Sequence, residues 1–175
     1  MKKNVMAYVA SFMMIAVWMG LSLSCGGSAP EEPKTKVTLE DVNKYVAGQD
    51  VNILVNNGLT SDQLMEVTKL CISTGELNNV TIIEENQKLS YAVLDAKIST
   101  RKIPLTVRFS YSISKSGTLK MRLTQITETD PKNAPCEFTV YTKDFEATMD
   151  SVKTSILDSV KSIGNAVLER SADFA

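Results

Sequence analysis

The sequence predicts an α+β domain in which two short helices precede an antiparallel sheet of about four to five strands and a long C-terminal amphipathic helix packs on that sheet. The apolar residues recur with a period near 3.6 up to residue 78, and with a period of 2 from Asn79 onward. The helical period returns at Phe145. Helices and strands are therefore segregated along the chain, which favours α+β over alternating α/β.

The composition excludes several classes of protein. The 175 residues are 43% hydrophobic and 22% charged, which is typical of a globular domain and not of a disordered chain or a multi-span membrane protein. The net charge of -1 lacks the basic excess that a nucleic-acid-binding protein needs. Histidine is absent, which removes Ser/His and Cys/His nucleophile pairs and imidazole metal ligands. We expect no nucleic acid partner and no cofactor.

The N-terminus has the pattern of an export signal. Lys2 and Lys3 are followed by an uncharged segment, residues 5 to 24, that ends at a cysteine. Residues 21 to 27 read Leu-Ser-Leu-Ser-Cys-Gly-Gly, so that small residues lie on both sides of Cys25. This segment resembles the lipobox of bacterial lipoproteins, in which the signal peptide is removed and the cysteine becomes a diacylated N-terminus.

The resemblance implies that residues 1–24 are a signal peptide and that Cys25 is the lipid attachment site. The mature protein would then be anchored by its lipid to the inner or outer membrane of the bacterial cell envelope. Two alternatives remain open: an ordinary cleaved signal, and a transmembrane anchor, since residues 5 to 24 would span about 30 Å as a helix. Residues 25–37 are predicted to be the lipidated N-terminus and a solvated tether rich in Gly, Pro and charge.

A single folded domain is predicted over residues 38–175, and it begins with two helices. The first starts at Thr38, which is a typical N-cap, and stops at a glycine. In the second, Thr60 and Gln63 have the spacing of a capping box, and apolar residues follow at helical spacing. The intervening residues 51 to 55 fit a strand or a helix end equally well.

The middle of the chain predicts antiparallel strands. The strongest pattern is in residues 103 to 113, where six apolar residues at odd positions alternate with polar residues. One face of that strand is therefore in contact with water, which is typical of an antiparallel sheet. The alternation changes phase near Val93, which predicts a β-bulge there. Further strands are predicted over residues 80–84, 89–98, 119–123 and 138–140.

The longest predicted helix ends the chain. Its apolar residues recur every three or four positions from Phe145 to Val167, over about six turns. We expect this stripe to pack on the apolar face of residues 103 to 113, and any ligand to lie between the helix and the sheet. Gly164 lowers helix propensity by about 1 kcal/mol relative to alanine, so the last two turns are expected to be loosely held.

No catalytic motif fits the predicted elements, and we expect the protein not to be an enzyme. The nucleophile spacing of serine β-lactamases, Ser-x-x-Lys, occurs at Ser99 with Lys102 and at Ser112 with Lys115. Both pairs lie at predicted strand ends, where residues three apart point to opposite faces of the sheet. No catalytic, cofactor-binding or metal-ligating residue is therefore assigned.

Cys71 and Cys136 form an even pair once Cys25 carries the lipid. A disulfide between them would join the second helix to the last strand, in a compartment that permits such bonds. The loop-entropy model gives this bridge about 4 kcal/mol of stabilisation. Two free cysteines are the alternative, because unpaired cysteine is often a small core residue.

The order of elements over residues 38 to 168 resembles that of small bacterial lipoproteins of the tubular lipid-binding type, in which a helix and a curled sheet enclose an apolar groove. The resemblance implies a non-enzymatic, lipid-anchored envelope protein that binds a hydrophobic ligand or lipid. The alternative is a surface-exposed lipoprotein that docks another protein or a host molecule. A hydrolase is a more remote alternative.

Overall fold

The structure is a computed structural model, and it describes residues 30–55, 58–114 and 117–174. Cys25 and the predicted signal peptide lie outside the described residues. The chain divides into two units, Met1–Pro33 and Lys34–Ala175. In the first unit, residues 30 to 33 have no regular secondary structure. All helices and strands described below belong to the second unit.

The second unit has the predicted α+β class, with an antiparallel sheet of five strands. The order of strands in this sheet is β2-β6-β5-β4-β3. A separate sheet of two antiparallel strands, β1 and β7, was not predicted. The elements are β1 (Lys34–Val37), α1 (Leu39–Val46), β2 (Asp50–Leu54), α2 (Ser61–Ser73), β3 (Val80–Asn86), β4 (Tyr91–Thr100), β5 (Ile103–Ile113), β6 (Thr118–Glu128), β7 (Phe138–Tyr141) and α3 (Phe145–Ser171).

Both N-terminal helices begin where the sequence predicts. Thr38 and Thr60 are the N-caps, and each forms a reciprocal capping box, with Asp41 and Gln63 respectively. The expectation of two short helices holds for α1 alone, because α2 extends over 13 residues. α2 packs against α3.

The alternation in β5 builds the inner face of the large sheet. Leu105, Val107 and Phe109 are fully buried, and Tyr111 is nearly so. The bulge predicted near Val93 lies instead in the partner strand, between Ile82 and Glu84 of β3. β4 keeps a regular alternation, in which Ala92, Leu94 and Ala96 are fully buried and Tyr91 and Val93 are partly buried on the other face. The change of phase in the sequence therefore comes from apolar residues on both faces of β4 and not from a bulge in that strand.

Two segments differ from the sequence interpretation because their partners are distant in the chain. The ambiguous residues 51 to 55 form most of β2, which pairs with β6 at one edge of the sheet. Residues 34 to 37, which were assigned to the tether, form β1 and pair with β7. The four residues of β1 include one apolar side chain, Val37, which is fully buried. A run with one apolar residue shows no detectable alternation.

α3 packs along the inner face of the five-stranded sheet. Its backbone runs near β2 and β4, which lie on either side of the central pair β6 and β5. One continuous core contains its stripe and the odd-numbered residues of β5. The buried residues of the helix are Met149, Val152, Ile156, Val160, Ile163, Gly164, Val167 and Ser171.

Gly164 is a point of close approach and does not loosen the end of α3. A Cβ atom at this position would lie 2.6 Å from Met121 Cε and 2.8 Å from Ile53 Cδ1. The helix continues for two turns beyond it, and both Val167 and Ser171 are fully buried. The expectation of loosely held final turns is therefore wrong, because tertiary packing outweighs the low helix propensity of glycine.

We predict that Gly164→Leu destabilises the domain by about 1–3 kcal/mol, since the new side chain would have to displace the ends of the Met121 and Ile53 side chains. Thermal unfolding of the purified domain measures the change. Asn165→Leu is the matched control, because Asn165 is the next residue of the helix and is exposed. Equal melting temperatures for the two variants would contradict the close approach.

Candidate functional site

The two candidate disulfide residues are free thiols in the structure. Cys71 lies in α2 and Cys136 lies before β7, and both are buried. Burial raises the pKa of the Cys71 thiol, and the nearby Glu76 carboxylate raises it further. Burial also raises the pKa of the Cys136 thiol, and the negative charges of Glu128 and Glu137 raise it further. Thiols that stay protonated are poor nucleophiles, and such burial is typical of cysteines that serve as small core residues.

The two Ser-x-x-Lys pairs have different surroundings. Ser99 lies in β4 opposite Pro104, whereas Lys102 lies in the two-residue turn that joins β4 to β5. Both turn residues have positive φ, 49° at Arg101 and 64° at Lys102, as in a type I′ hairpin. The hairpin turn therefore accounts for the spacing of Ser99 and Lys102 without a catalytic role. Ser112 lies in β5, and its partner Lys115 is outside the described residues.

The space between α3 and the sheet, where a ligand was expected, is occupied by core side chains. Ile156 and Val160 of the helix are fully buried, as are Phe109 and Leu123 of the sheet. They belong to one continuous hydrophobic cluster. A ligand at this position would have to displace these side chains, at a cost of about 2–5 kcal/mol for each large one lost from the core.

A polar group at the edge of this core is also structural. The hydroxyl of Tyr111 lies 3.2 Å from Thr68 Oγ1, and Thr68 donates a hydrogen bond to the carbonyl of Leu64 within α2. Burial raises the pKa of Tyr111, so its phenol stays protonated. The contact joins α2 to β5 and leaves no ionised group for acid–base chemistry.

A groove of about 480 Å³ lies along the outer side of α2, and we call it the α2 groove. Leu59 and Val67 form its nearly buried base, and Leu70 is half-buried at its end. Asp62, Gln63 and Glu66 complete the lining with polar and charged groups. The volume falls within the range of about 300–1,000 Å³ that small-molecule sites occupy.

Two apolar residues of the α2 groove, Leu59 and Leu70, are visible in the sequence but do not belong to the helical stripe that predicted α2. The predicted core stripe of this helix contains Leu64, Val67 and Cys71. Leu59 and Leu70 lie outside that stripe, yet neither is fully exposed. Leu59 precedes the helix and Leu70 lies beside Val67, three residues along, so the two leucines widen the apolar face of α2 beyond the predicted stripe.

A second surface feature is the outer face of the small sheet, which we call the Tyr141 surface. Lys34 pairs with Tyr141, and Lys36 pairs with Thr139, so these four side chains point to the same side. All four residues are exposed, and the centroid of the Tyr141 ring lies 5.8 Å from Lys34 Nζ and 5.7 Å from Lys143 Nζ. Ammonium groups within about 6 Å of a ring centroid are attracted to its face.

Several charged side chains of the large sheet form pairs on its outer, water-exposed face. Arg108 binds both carboxylate oxygens of Asp95 at 2.8 Å. Asp50 of β2 lies 3.6 Å from both Lys120 and Arg122 of β6. Among the described residues, no cluster of three or more His, Cys, Asp or Glu side chains could hold a metal ion. Within the same residues, no helix is long and apolar enough to cross a membrane.

Comparisons with known proteins give one structural neighbour to report. No protein-family model matches this chain, and no curated protein matches it. Among solved structures, the chain is similar to a DUF4468 family protein from Bacteroides ovatus, with a TM-score of 0.41 and 11% sequence identity. The similarity covers 70% of this chain and 84% of that chain. A similarity of this extent supports no statement about function.

Proposed function

We propose that this chain is a lipid-anchored protein of the bacterial cell envelope that binds a hydrophobic ligand and has no enzymatic activity. The anchor rests on the sequence, in which a charge-free segment ends at Cys25 between small residues. Eight residues separate Cys25 from Lys34, where the folded unit begins. Nine extended residues reach about 30 Å, so the anchor keeps the domain close to the bilayer surface.

The α2 groove is the observation that carries the ligand-binding part of the proposal. Its base is formed by Leu59, Val67 and Leu70, which would cover the apolar part of a ligand. Each Å² of apolar surface removed from water contributes about 25 cal/mol. Leu59 and Val67 belong to the edge of the core, but no residue of α3 or of the large sheet lines the groove, so a ligand can enter it without displacing the side chains beneath α3.

The charged residues of the groove restrict the class of ligand. Asp62 and Glu66 are both exposed, and Glu66 is paired with Lys69 at 3.2 Å. The two carboxylates disfavour a ligand with an anionic head group, because the negative charges would repel each other. We therefore expect an apolar molecule with a neutral or cationic polar end.

The lipid anchor predicts the chemical form of the mature N-terminus. Mass spectrometry of the protein purified from membranes is expected to show Cys25 as the first residue, carrying acyl chains. Trp18 is the single tryptophan, so the processed protein should have no tryptophan emission. Cys25→Ala should release the protein from the membrane fraction, while Ser28→Ala in the tether should not. A membrane fraction that Cys25→Ala leaves unchanged after normal signal cleavage would disprove the anchor.

The α2 groove predicts that Leu70→Asn reduces the amount of apolar molecule that copurifies with the natively exported protein. Organic extraction followed by mass spectrometry measures it. Ile72→Asn is the matched control, because Ile72 is also partly buried in α2 but does not line the groove. Melting temperatures of both variants separate loss of ligand from loss of stability. Equal ligand loss in both variants, or an extract with no apolar molecule, would rule out the groove as the site.

A further inference from the structure

The edge strand β2 directs half of its backbone groups away from the sheet. Val55 N–H donates to the carbonyl of Gly117, and Leu123 N–H donates to the carbonyl of Gln49, so the odd-numbered residues from 49 to 55 face β6. Successive residues of a strand direct their N–H and C=O groups to opposite sides. The groups that point outward therefore belong to Asp50, Asn52 and Leu54. No residue that the structure describes pairs with them, because β2 is the last strand of the sheet.

The opposite edge of the same sheet, β3, is protected against pairing. A β-bulge lies between Ile82 and Glu84, and Glu85 is paired with Lys69 of α2 at 3.1 Å. Bulges and charged side chains are features by which proteins keep edge strands from pairing with other chains. β2 contains no bulge, no proline and no lysine, and its Leu54 is 65% exposed. A straight edge of this kind is a template for another strand.

We propose that β2 pairs with β2 of a second copy of this chain, so that two five-stranded sheets join edge to edge around a two-fold axis. The two strands are antiparallel, and Asn52 lies opposite Asn52 of the second copy. This register pairs all five residues of β2, and the outward backbone groups of each strand bond to those of the other. The inference depends on neither the lipid anchor nor the α2 groove.

The uncharged side chains of β2 are self-complementary in this register. On the inner face, Ile53 is only partly buried, and it lies opposite Val51 of the second copy. Cross-strand pairs of β-branched side chains stabilise antiparallel sheets. On the outer face, the exposed Asn52 side chains face each other across the axis. An amide can both donate and accept hydrogen bonds, so two copies of the same side chain can bond to each other.

The charge of β2 also permits a second copy. Asp50 is the one charged residue of the strand, and its carboxylate lies 3.6 Å from both Lys120 and Arg122 of its own chain. It faces Leu54 of the second copy, four residues away from the second copy's Asp50. At about 3.4 Å per residue the two acidic residues are about 14 Å apart, which exceeds the Debye length of about 8 Å at physiological ionic strength. The two strands therefore meet without like charges in contact.

Sedimentation equilibrium of the chain that begins at Gly26 tests the pairing, because this chain contains every described helix and strand. We expect a monomer–dimer equilibrium. Asn52→Pro removes an N–H group that points away from the sheet and leaves the bonds to β6 in place, since edge strands accept proline at such positions. The dissociation constant should rise at least about tenfold, because each copy loses a hydrogen bond at the centre of the pairing. A circular dichroism spectrum like that of the wild type shows that the variant is folded.

A change of charge at the two-fold axis gives a second test that needs no proline. Asn52→Asp and Asn52→Lys each place like charges opposite each other and should weaken the dimer, whereas a mixture of the two variants should form a heterodimer. Asn78→Asp and Asn78→Lys are the matched controls, because Asn78 is exposed and precedes β3, and each should dimerise like the wild type. A dimer that Asn52→Pro leaves unchanged, or a mixture with no more dimer than either variant alone, would overturn the pairing. A wild-type chain that stays monomeric would leave this edge to a strand of another protein and would overturn it as well.

Discussion

The contact between α3 and the inner face of the five-stranded sheet is the interaction on which the rest of the structure depends. The stripe of the helix and the odd-numbered residues of β5 remove large apolar surfaces from water together. Fully burying one such side chain contributes about 1.5–3 kcal/mol. Gly164 lets the helix lie close to the ends of the Met121 and Ile53 side chains, and a larger residue at this position would have to displace them.

The helices that flank the sheet, and the small sheet, are held in place by this contact. α1 and α2 pack against α3, and the Tyr45 hydroxyl donates a hydrogen bond to Glu146, which raises the pKa of Tyr45 to about 12. The α2 groove is thus held on a helix whose inner side is fixed. The small sheet leads directly into α3, because β7 is followed by the 3-10 turn Thr142–Asp144 and then by Phe145. Because the core beneath α3 is closed, binding on the outer side of α2 would not require the core to open.

The sequence predicted the parts of the fold that depend on local patterns. The capping boxes at Thr38 and Thr60, the alternation in β5 and the stripe of α3 each need only neighbouring residues to be recognised. It did not predict the pairing of β1 with β7, because this pairing joins residues that are about one hundred positions apart and β1 has one apolar residue. The Tyr141 surface was missed for the same reason. The α2 groove was missed because Val67 was interpreted as core and Leu70 lay outside the stripe.

The central claim is that α3 closes the core and that binding occurs elsewhere. Its most direct test is thermal unfolding of Ile156→Asp, since Ile156 is fully buried at the centre of the stripe. The account predicts an unfolded protein or a melting temperature lower by at least about 10 °C, because a carboxylate would lose its hydration among apolar side chains. Thr154→Asp, at an exposed position of the same helix, should unfold like the wild type. An unchanged melting temperature for Ile156→Asp, together with loss of ligand or membrane binding, would show that the stripe is a recognition surface and contradict the account.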